Sequence, residues 1–414
     1  MRFQLVPSAA HPSFLDLPWS LPLDEWESER LVEVARGIHR HVVVFVNYEG
    51  RLYVLKELPH HLAEREYRLL RRLDDEGIPA VEAVGVVSDR RRGGPHGDEL
   101  DAVLITSHLE YSLPYRTLFG LHDMGQPQDR LLDALVELLV RLHLLQFFWG
   151  DCSLSNTLFK RDAGAFTAYV VDVETAELRP TLSDGMRRYD VELAAENVAG
   201  ELMDVRAERG EPIDAHELSP VETADEVRRR YESLWLELTR DEVFSADDRF
   251  LIEKRLRRLN ELGYDISEVE LSTTPEGLYK LRIETQVVEP GHHRRRLHSL
   301  TGLAVQENQA RRLMQDIDGY RRYLELRDGV TLPESVAAYR WLTEIFKPTI
   351  DAVPAELRVR LPPAEIFHQV LEHRWFLSEE CGEDVDHFDA IDSYVTDVLA
   401  ATPDEQLVFD RPEP

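Results

Sequence analysis

Trp149-Gly150-Asp151-Cys152-Ser153-Leu154-Ser155-Asn156 is followed, sixteen residues beyond Asn156, by Asp172 at the close of the apolar run Ala168-Tyr169-Val170-Val171. The spacing brings together a carboxylate in a turn, a carboxamide five residues on, and a second carboxylate at a strand end. Transfer of a phosphoryl group to a hydroxyl needs one carboxylate to orient or accept the hydroxyl proton. It also needs a carboxamide and a second carboxylate to hold the magnesium that neutralises the phosphates. Taken singly, Gly150-Asp151 is an ordinary turn and Asp172 a strand-end cap; the order and spacing together point to phosphotransfer.

Upstream, Val42–Tyr48 and Leu52–Leu58 read as two strands joined at Glu49-Gly50, and Leu62–Leu73 as a helix with Leu62, Leu69, Leu70 and Leu73 on its apolar stripe. Lys56, in Tyr53-Val54-Leu55-Lys56, is the only lysine before Lys160 in a chain with 43 arginines and 5 lysines. A strand lysine is commonly a solvated edge residue. Glu66, however, falls on the apolar stripe of the following helix, and a carboxylate on a buried face needs a partner. Either Lys56 supplies it and is positioned against nucleotide phosphates, or Glu66 lies at the margin of the stripe. Val81–Val87 and Leu100–Thr106 read as further strands around a surface loop at Arg90–Gly97, and Gln128–Leu145 as an amphipathic helix leading into the Asp151 turn. The pattern predicts a β-rich lobe followed by a helical lobe, with the chemistry just past their junction.

A chain of 414 residues exceeds one ordinary core and suggests two domains. A formal charge of −30 disfavours coating of nucleic acid, which rests on clustered cations. Cys152 and Cys381 are too few for a disulfide framework and fit a reducing cytoplasm. No apolar run reaches membrane-spanning length, and Pro7, His11, Pro12, Asp16 and Pro18 interrupt any signal-peptide core.

A second unit is expected to begin between about residues 206 and 245. The predicted elements are helices at Asp247–Leu262, Gln306–Leu326, Ser335–Phe346, Ala364–Leu377 and Phe388–Leu399, with one strand at Leu281–Val288. His292-His293-Arg294-Arg295-Arg296, with His298, is a basic cluster in an acidic chain. Its partner is a phosphorylated substrate, a nucleic acid or, by default, the acidic remainder of the same chain. A zinc reading of its histidines lacks cysteine partners. His368 and His373, five apart on a predicted helix, do not share a face well. Trp341, Phe346, Phe367, Trp375 and Phe376 are expected in a core.

The order Lys56, Glu66, Leu142-His143, Gly150-Asp151, Asn156 and Asp172 resembles the protein-kinase-like superfamily, and within it the branch of aminoglycoside phosphotransferases and lipopolysaccharide kinases. More narrowly, the chain is similar to an actinobacterial lipopolysaccharide-kinase-like group that carries a C-terminal domain of unknown function. That likeness extends into Pro290-Gly291-His292-His293 and Val305-Gln306-Glu307-Asn308-Gln309-Ala310-Arg311-Arg312. The resemblance implies an α+β, two-lobed kinase-like fold over residues 25–235, with lobes at about 25–108 and 109–235, and a mainly helical accessory domain over 236–402. It further implies ATP and Mg as cofactors, Asp151 as base, Lys56 and Glu66 positioning phosphates, and Asn156 and Asp172 as metal ligands. His108, Leu109, Glu110 and Tyr111 would form the adenine-binding hinge. Asp190 resembles the helix residue that holds the catalytic loop from beneath.

Three departures matter. Trp149 stands where the family usually has His or Tyr, and Asp172-Val173-Glu174 replaces Asp-Phe-Gly, with Glu174 either a further metal-facing carboxylate or a solvated turn residue. Only Gly37 lies in Ala35-Arg36-Gly37-Ile38-His39-Arg40-His41, so a glycine-rich phosphate cradle is not evident; Arg36, Arg40 and the nearby histidines either supply charge instead or form a solvated turn. The expected function is an ATP- and Mg-dependent phosphotransferase acting on an unidentified hydroxyl. The competing expectation is a catalytically silent, nucleotide-binding scaffold whose C-terminal domain binds a protein partner.

Overall fold

The computed structural model describes residues 1–6, 11–32, 41–94, 96–120, 127–209, 219–239, 242–244, 269–273, 279–283, 291–402 and 404–405. The helix expected over Asp247–Leu262, residues 35–40 of the glycine-poor loop and the distal part of the strand expected over Leu281–Val288 lie outside them.

The N-terminal lobe is an antiparallel sheet in the order β1-β5-β8-β4-β3-β2. Its strands are β1 (Arg2–Leu5), β2 (Leu31–Val32), β3 (Val42–Tyr48), β4 (Arg51–Leu58), β5 (Ala83–Ser88) and β8 (Ala102–Ser107), while β6 (Arg90–Arg91) and β7 (Glu99–Leu100) form a small side ladder. Strands β3 and β4 meet at Glu49 and Gly50, both with positive φ (54° and 87°), the conformation that keeps a two-residue hairpin in step with strand twist. Lys56 lies opposite Val43 on one side and Leu104 on the other, so it sits in the middle of the sheet and not at its edge. Helix α1 (His60–Asp75) lies against β5 and β8, burying Ala63, Glu66, Leu70 and Leu73.

The sheet recruits residues ahead of position 25. Besides β1, the segment after His11 lays Phe14, Leu17, Trp19, Leu23 and Trp26 on the face formed by Val44, Val46, Tyr53, Leu55 and Ile105. Arg90 pins this strap. The sequence places it in a surface loop, but its side chain is fully buried. Its guanidinium donates to the carbonyls of Trp19 (3.2 Å), Leu21 and Asp101 (2.8 Å) and to Glu57 (2.6 Å). Glu57 also accepts from the Leu23 amide at 3.2 Å, so one buried ion pair closes both sides of the strap.

The second lobe is helical. Its helices α2 (Tyr115–Gly120), α3 (Pro127–Leu144), α4 (Asp184–Arg209) and α5 (Pro220–Thr239) flank short strands, and α5 packs on both α4 and α3. Tyr231 and Leu238 of α5 belong to the same core as Leu131, Leu135, Leu138 and Leu142 of α3. Between α3 and α4 run β9 (Phe147–Phe148), the hairpin β10 (Thr157–Asp162) and β11 (Ala165–Val170), and β12 (Glu177–Leu178).

The C-terminal region adds a sheet in the order β13 (Glu242–Phe244), β15 (Tyr279–Ile283), β14 (Val269–Thr273). There follow α6 (His292–Thr301), α7 (Glu307–Asp328), α8 (Glu334–Trp341), a π turn at Leu342–Phe346 leading into α9 (Lys347–Ala352), α10 (Pro363–Cys381) and α11 (His387–Asp397). Trp341, Phe346 and Phe367 are core residues, as expected from sequence. Trp375 and Phe376 are not: they stand on the exposed side of α10 at 57% and 54% exposure, because the apolar stripe that α10 buries runs through Ala364, Ile366, Phe367 and Val370.

Arg90→Met should leave Glu57 and three carbonyls without their buried donor, which typically costs about 3–5 kcal/mol. Urea unfolding should show a loss of that order, together with early proteolysis within residues 11–26; a change below about 0.5 kcal/mol, the scale of a neutral surface change, would contradict the pinning role.

Candidate active site

Lys56 reaches across from β4 and finds three carboxylates. Its Nζ lies 3.1 Å from Glu66 of α1, 2.8 Å from Asp172 just past β11, and 3.8 Å from Glu174. Glu66 is 2% exposed, so its position on the buried stripe of α1 is physical. Burial alone would lower the Lys56 pKa, but Glu66 and Asp172 outweigh it and the net shift is upward. Burial and the nearby Asp172 charge push Glu66 up to about 7, partly offset by Lys56. The ammonium is thus held in its charged form by the acids around it, while enclosure of Glu66 works against its ionised form.

Asp151 is held at both oxygens by carboxamides. Asn156 Nδ2 donates to Oδ2 at 3.1 Å and to the Asp151 carbonyl at 3.0 Å. Asn197 Nδ2 donates to Oδ1 at 3.3 Å and to the Cys152 carbonyl at 3.1 Å. With its nitrogen on Asp151, Asn156 has its carbonyl oxygen to offer a cation. Among the described residues no three His, Cys, Asp or Glu side chains form a ready-made metal cage. Magnesium does not require one, since it commonly takes one or two carboxylates and completes its shell with substrate phosphates and water. Asp172 and the Asn156 oxygen fit that demand.

The loop between Trp149 and Asn156 is shaped by α4 beneath it. Asp190 accepts from the amides of Trp149 (2.7 Å) and Gly150 (2.8 Å), and from His143 Nε2 (3.0 Å), whose other nitrogen meets the Tyr231 hydroxyl at 2.6 Å. Burial lowers the His143 pKa. Asn197 and Glu201 follow Asp190 by seven and eleven residues, which keeps all three on one face of the helix. Glu201 accepts from the amides of Leu154 (2.7 Å) and Ser155 (2.9 Å) and from the Ser155 hydroxyl. Gly150 has φ 77°, and a Cβ there would lie 2.9 Å from the Phe148 ring and 3.2 Å from the Thr175 carbonyl.

Sequence reasoning finds Asp190 and misses Asn197 and Glu201. Their only signal was the helical spacing from Asp190. The Trp149 departure has a local explanation: its indole Nε1 donates to the Asp172 carbonyl at 3.0 Å, and its own carbonyl accepts from Thr175 at 3.0 Å, tying the Asp151 turn to the Asp172 turn. Glu174 faces the same cluster, accepting from His41 Nε2 at 2.9 Å, while its amide donates to Asp172 Oδ1 at 2.8 Å. The remaining cationic candidates of that loop, Arg36, His39 and Arg40, lie outside the described residues.

His108, Leu109, Glu110 and Tyr111 leave β8 for the second lobe, starting with the His108 amide on the Leu52 carbonyl at 2.9 Å. Burial and the neighbouring Lys160 charge hold the His108 pKa at about 4. In the C-terminal region Arg296 pairs with Glu334, in line with intramolecular charge balance in the basic cluster. His368 accepts from Arg312 at 3.0 Å and His373 meets Ser393 at 2.9 Å, so the two histidines serve different partners.

Residues 48–193 match the Lipopolysaccharide kinase (Kdo/WaaP) family, and residues 233–399 match a domain of unknown function, DUF4032. The first span contains Lys56, Glu66, Asp151, Asn156, Asp172 and Asp190. Among solved structures, WaaP in complex with acyl carrier protein aligns at 20% identity with a TM-score of 0.32, covering 49% of this chain and 88% of that chain. No curated protein matches. The chain thus joins a lipopolysaccharide-kinase family domain to a DUF4032 domain, the pairing that the sequence resemblance implies. No described helix is long and apolar enough to cross a membrane.

The His108 shift predicts acid sensitivity with a definite sign. Its folded pKa of about 4 lies below the ordinary 6.5, so the unfolded chain binds the extra proton first and stability falls as pH drops from 6.5 to 4. The full loss is about 3 kcal/mol at most. His108→Gln should flatten this slope in urea titrations at pH 7, 5.5 and 4.5; an unchanged slope would refute it.

Proposed function

We propose that the protein is a phosphotransferase that moves the γ-phosphoryl group of ATP to a hydroxyl acceptor. The observation that carries this reading is the Lys56, Glu66 and Asp172 cluster, whose Asp172 turn is tied through the Trp149 indole to the turn that carries the clamped Asp151 carboxylate. Lys56, oriented by Glu66, is placed to contact nucleotide phosphates. Asp172 and the Asn156 oxygen would hold magnesium, which when bound neutralises phosphate charge during transfer. Asp151 accepts the hydroxyl proton as the acceptor oxygen bonds to phosphorus and the bond to ADP breaks. His108–Tyr111, at the crossing between lobes, are the residues assigned to the adenine.

The two amides on Asp151 serve the base in a particular way. They fix the carboxylate plane without neutralising it, so that it meets an acceptor in one orientation. The domain limits we propose are about 25–235 for the kinase-like part, onto which β1, the preceding strap and the last turn of α5 also pack, and 236–402 for the accessory part. The silent-scaffold alternative draws support from Lys56 itself, which lies 2.8 Å from Asp172 and is thereby engaged by a proposed metal ligand. The family match and the complete base and metal set favour catalysis. Family membership leaves the acceptor open.

A thermal-shift titration with ATP, with and without Mg, tests binding. The wild type should be stabilised in a Mg-dependent way that Asp172→Ala loses. Asp151→Asn should bind Mg-ATP as the wild type does and lose at least about 100-fold in ADP formation. Asn197→Ala should lower turnover by about tenfold to a hundredfold while Mg-ATP affinity stays within about twofold, since only the orientation of the base is disturbed. Equal turnover in wild type and Asp151→Asn would overturn the catalytic reading in favour of the scaffold.

A further inference from the structure

The hairpin β10–β11 is bounded by the two proposed metal ligands: Asn156 immediately precedes β10, and Asp172 follows β11 by two residues. At its base the Val171 amide donates to the Asn156 carbonyl at 3.1 Å, so the two ends are tied together. Among the described residues the pair forms a two-stranded sheet, bridged at single points by the backbone of Leu113 to Phe159 of β10 (2.8 and 3.1 Å) and by Pro79 and Val81 to Val170 of β11 (3.0 and 2.9 Å), with α3 packed on β11. A two-stranded hairpin is marginal alone and takes its rigidity from whatever packs on it.

Its tip is held by the C-terminal region. Asp162, 1% exposed, caps α7: it accepts from the amides of Asn308 (3.2 Å) and Gln309 (2.7 Å) and from Asn308 Nδ2 (3.1 Å). Gln309 Nε2 donates to the Arg161 carbonyl at 3.1 Å and to Glu365 at 2.9 Å, and Glu365 accepts from the Ala163 amide at 3.2 Å. Arg161 forks onto Glu405, with Nε 2.9 Å from both carboxylate oxygens and Nη2 2.6 Å from one, and Glu405 is 1% exposed. Along β11, the Tyr169 hydroxyl donates to Gln306 at 2.7 Å. Two of these bonds go to the hairpin backbone, at Arg161 and Ala163. They therefore fix where the strands run and not merely how side chains lie.

We propose that the C-terminal region serves the active site by fixing this hairpin, with Gln309 and Glu365 of the domain of unknown function and Glu405 just beyond it as positioning residues for Asn156 and Asp172. The proposal rests on the phosphotransferase reading for the identity of what is positioned. It assigns the domain of unknown function a role inside the catalytic body instead of a role as a tethered recruitment module. Loosening the tip removes the restraint at the far end of the hairpin and leaves only the bridges near its base, so the two ligand positions shift more freely as a unit relative to Lys56 and Asp151. Nucleotide contacts that do not pass through the metal are left as they were.

The test compares the full-length wild type with Gln309→Ala, Glu405→Ala and Glu405→Gln. Hydrogen exchange is followed by mass spectrometry on peptides spanning 149–156, 157–170 and 171–176, and ATP affinity is measured in Mg and in EDTA. Both alanine variants should speed exchange in the hairpin and also in the two flanking peptides. They should raise the ATP Kd at least fivefold in Mg and leave it unchanged in EDTA. Glu405→Gln, which keeps the shape and an acceptor, should recover most of the lost protection. Faster exchange confined to 157–170 and the C-terminal helices, with both flanks unmoved, would overturn the proposal. The exchange result decides this without nucleotide: a wild type that ignores Mg-ATP would sink the phosphotransferase reading alone. Gln309→Ala sits in a buried junction, and if it fails to fold, the Glu405 pair carries the comparison.

Discussion

One ammonium group surrounded by acids organises the centre of this protein. Lys56 stands in a middle strand of the sheet, Glu66 on the helix behind it, and Asp172 and Glu174 on a turn that belongs to the other lobe. Burying one cation costs several kcal/mol unless opposite charges compensate, and here two lobes must come together to supply them. The lobe arrangement and the charge cluster therefore stabilise each other. Excess negative charge is the other side of that balance: burial first, and then the neighbouring Asp172 charge, raise Glu66 to about 7. A cation arriving beside Asp172 would relieve the repulsion.

A comparable economy of means shapes the loop that carries Asp151. Helix α4 presents an acid, an amide and an acid on one face, and between them they engage the loop backbone at Trp149, Gly150, Cys152, Leu154 and Ser155. Loop amides turned away from solvent need acceptors, and side chains from a rigid helix give them without the loop having to adopt regular structure. Trp149 adds a link from this loop to the Asp172 turn. The residues proposed for proton transfer and for metal binding are consequently set by the same scaffold.

Much of this was legible in sequence where periodicity carried the signal. Strands β3 and β4 and helix α3 follow from apolar spacing, which puts Glu66 on the stripe or at its margin, and α7, α8, α10 and α11 begin within a residue of where spacing puts them, while the short α9 falls where a proline-containing linker was expected. What escaped has physical reasons. Phe14, Trp19 and Trp26 pack as irregular chain, which has no period to detect. Arg90 sits among Gly, Pro and Asp residues that signal an exposed turn, and its burial depends on Glu57, far away in sequence. Asn197 and Glu201 lie on a helix where polar residues ordinarily indicate a solvated face. The docking of Asp162 on α7 and of Arg161 on Glu405 joins positions that no local pattern relates, and the exposed Trp375 and Phe376 show the same limit from the other side, since helical spacing does not say which face finds a partner.

The pairing of Arg161 with Glu405 also says something about the order in which the molecule is completed. The two residues are 244 positions apart. At synthesis rates of roughly 5–20 residues per second, the hairpin leaves the ribosome about 12–50 seconds before its acidic partner is made. Throughout that interval the Arg161 guanidinium has to remain in water, and the N-terminal two lobes can collapse while their hairpin tip stays open. This closure is therefore late relative to the folding of the two lobes, made when a distant stretch of the chain returns to a segment translated long before.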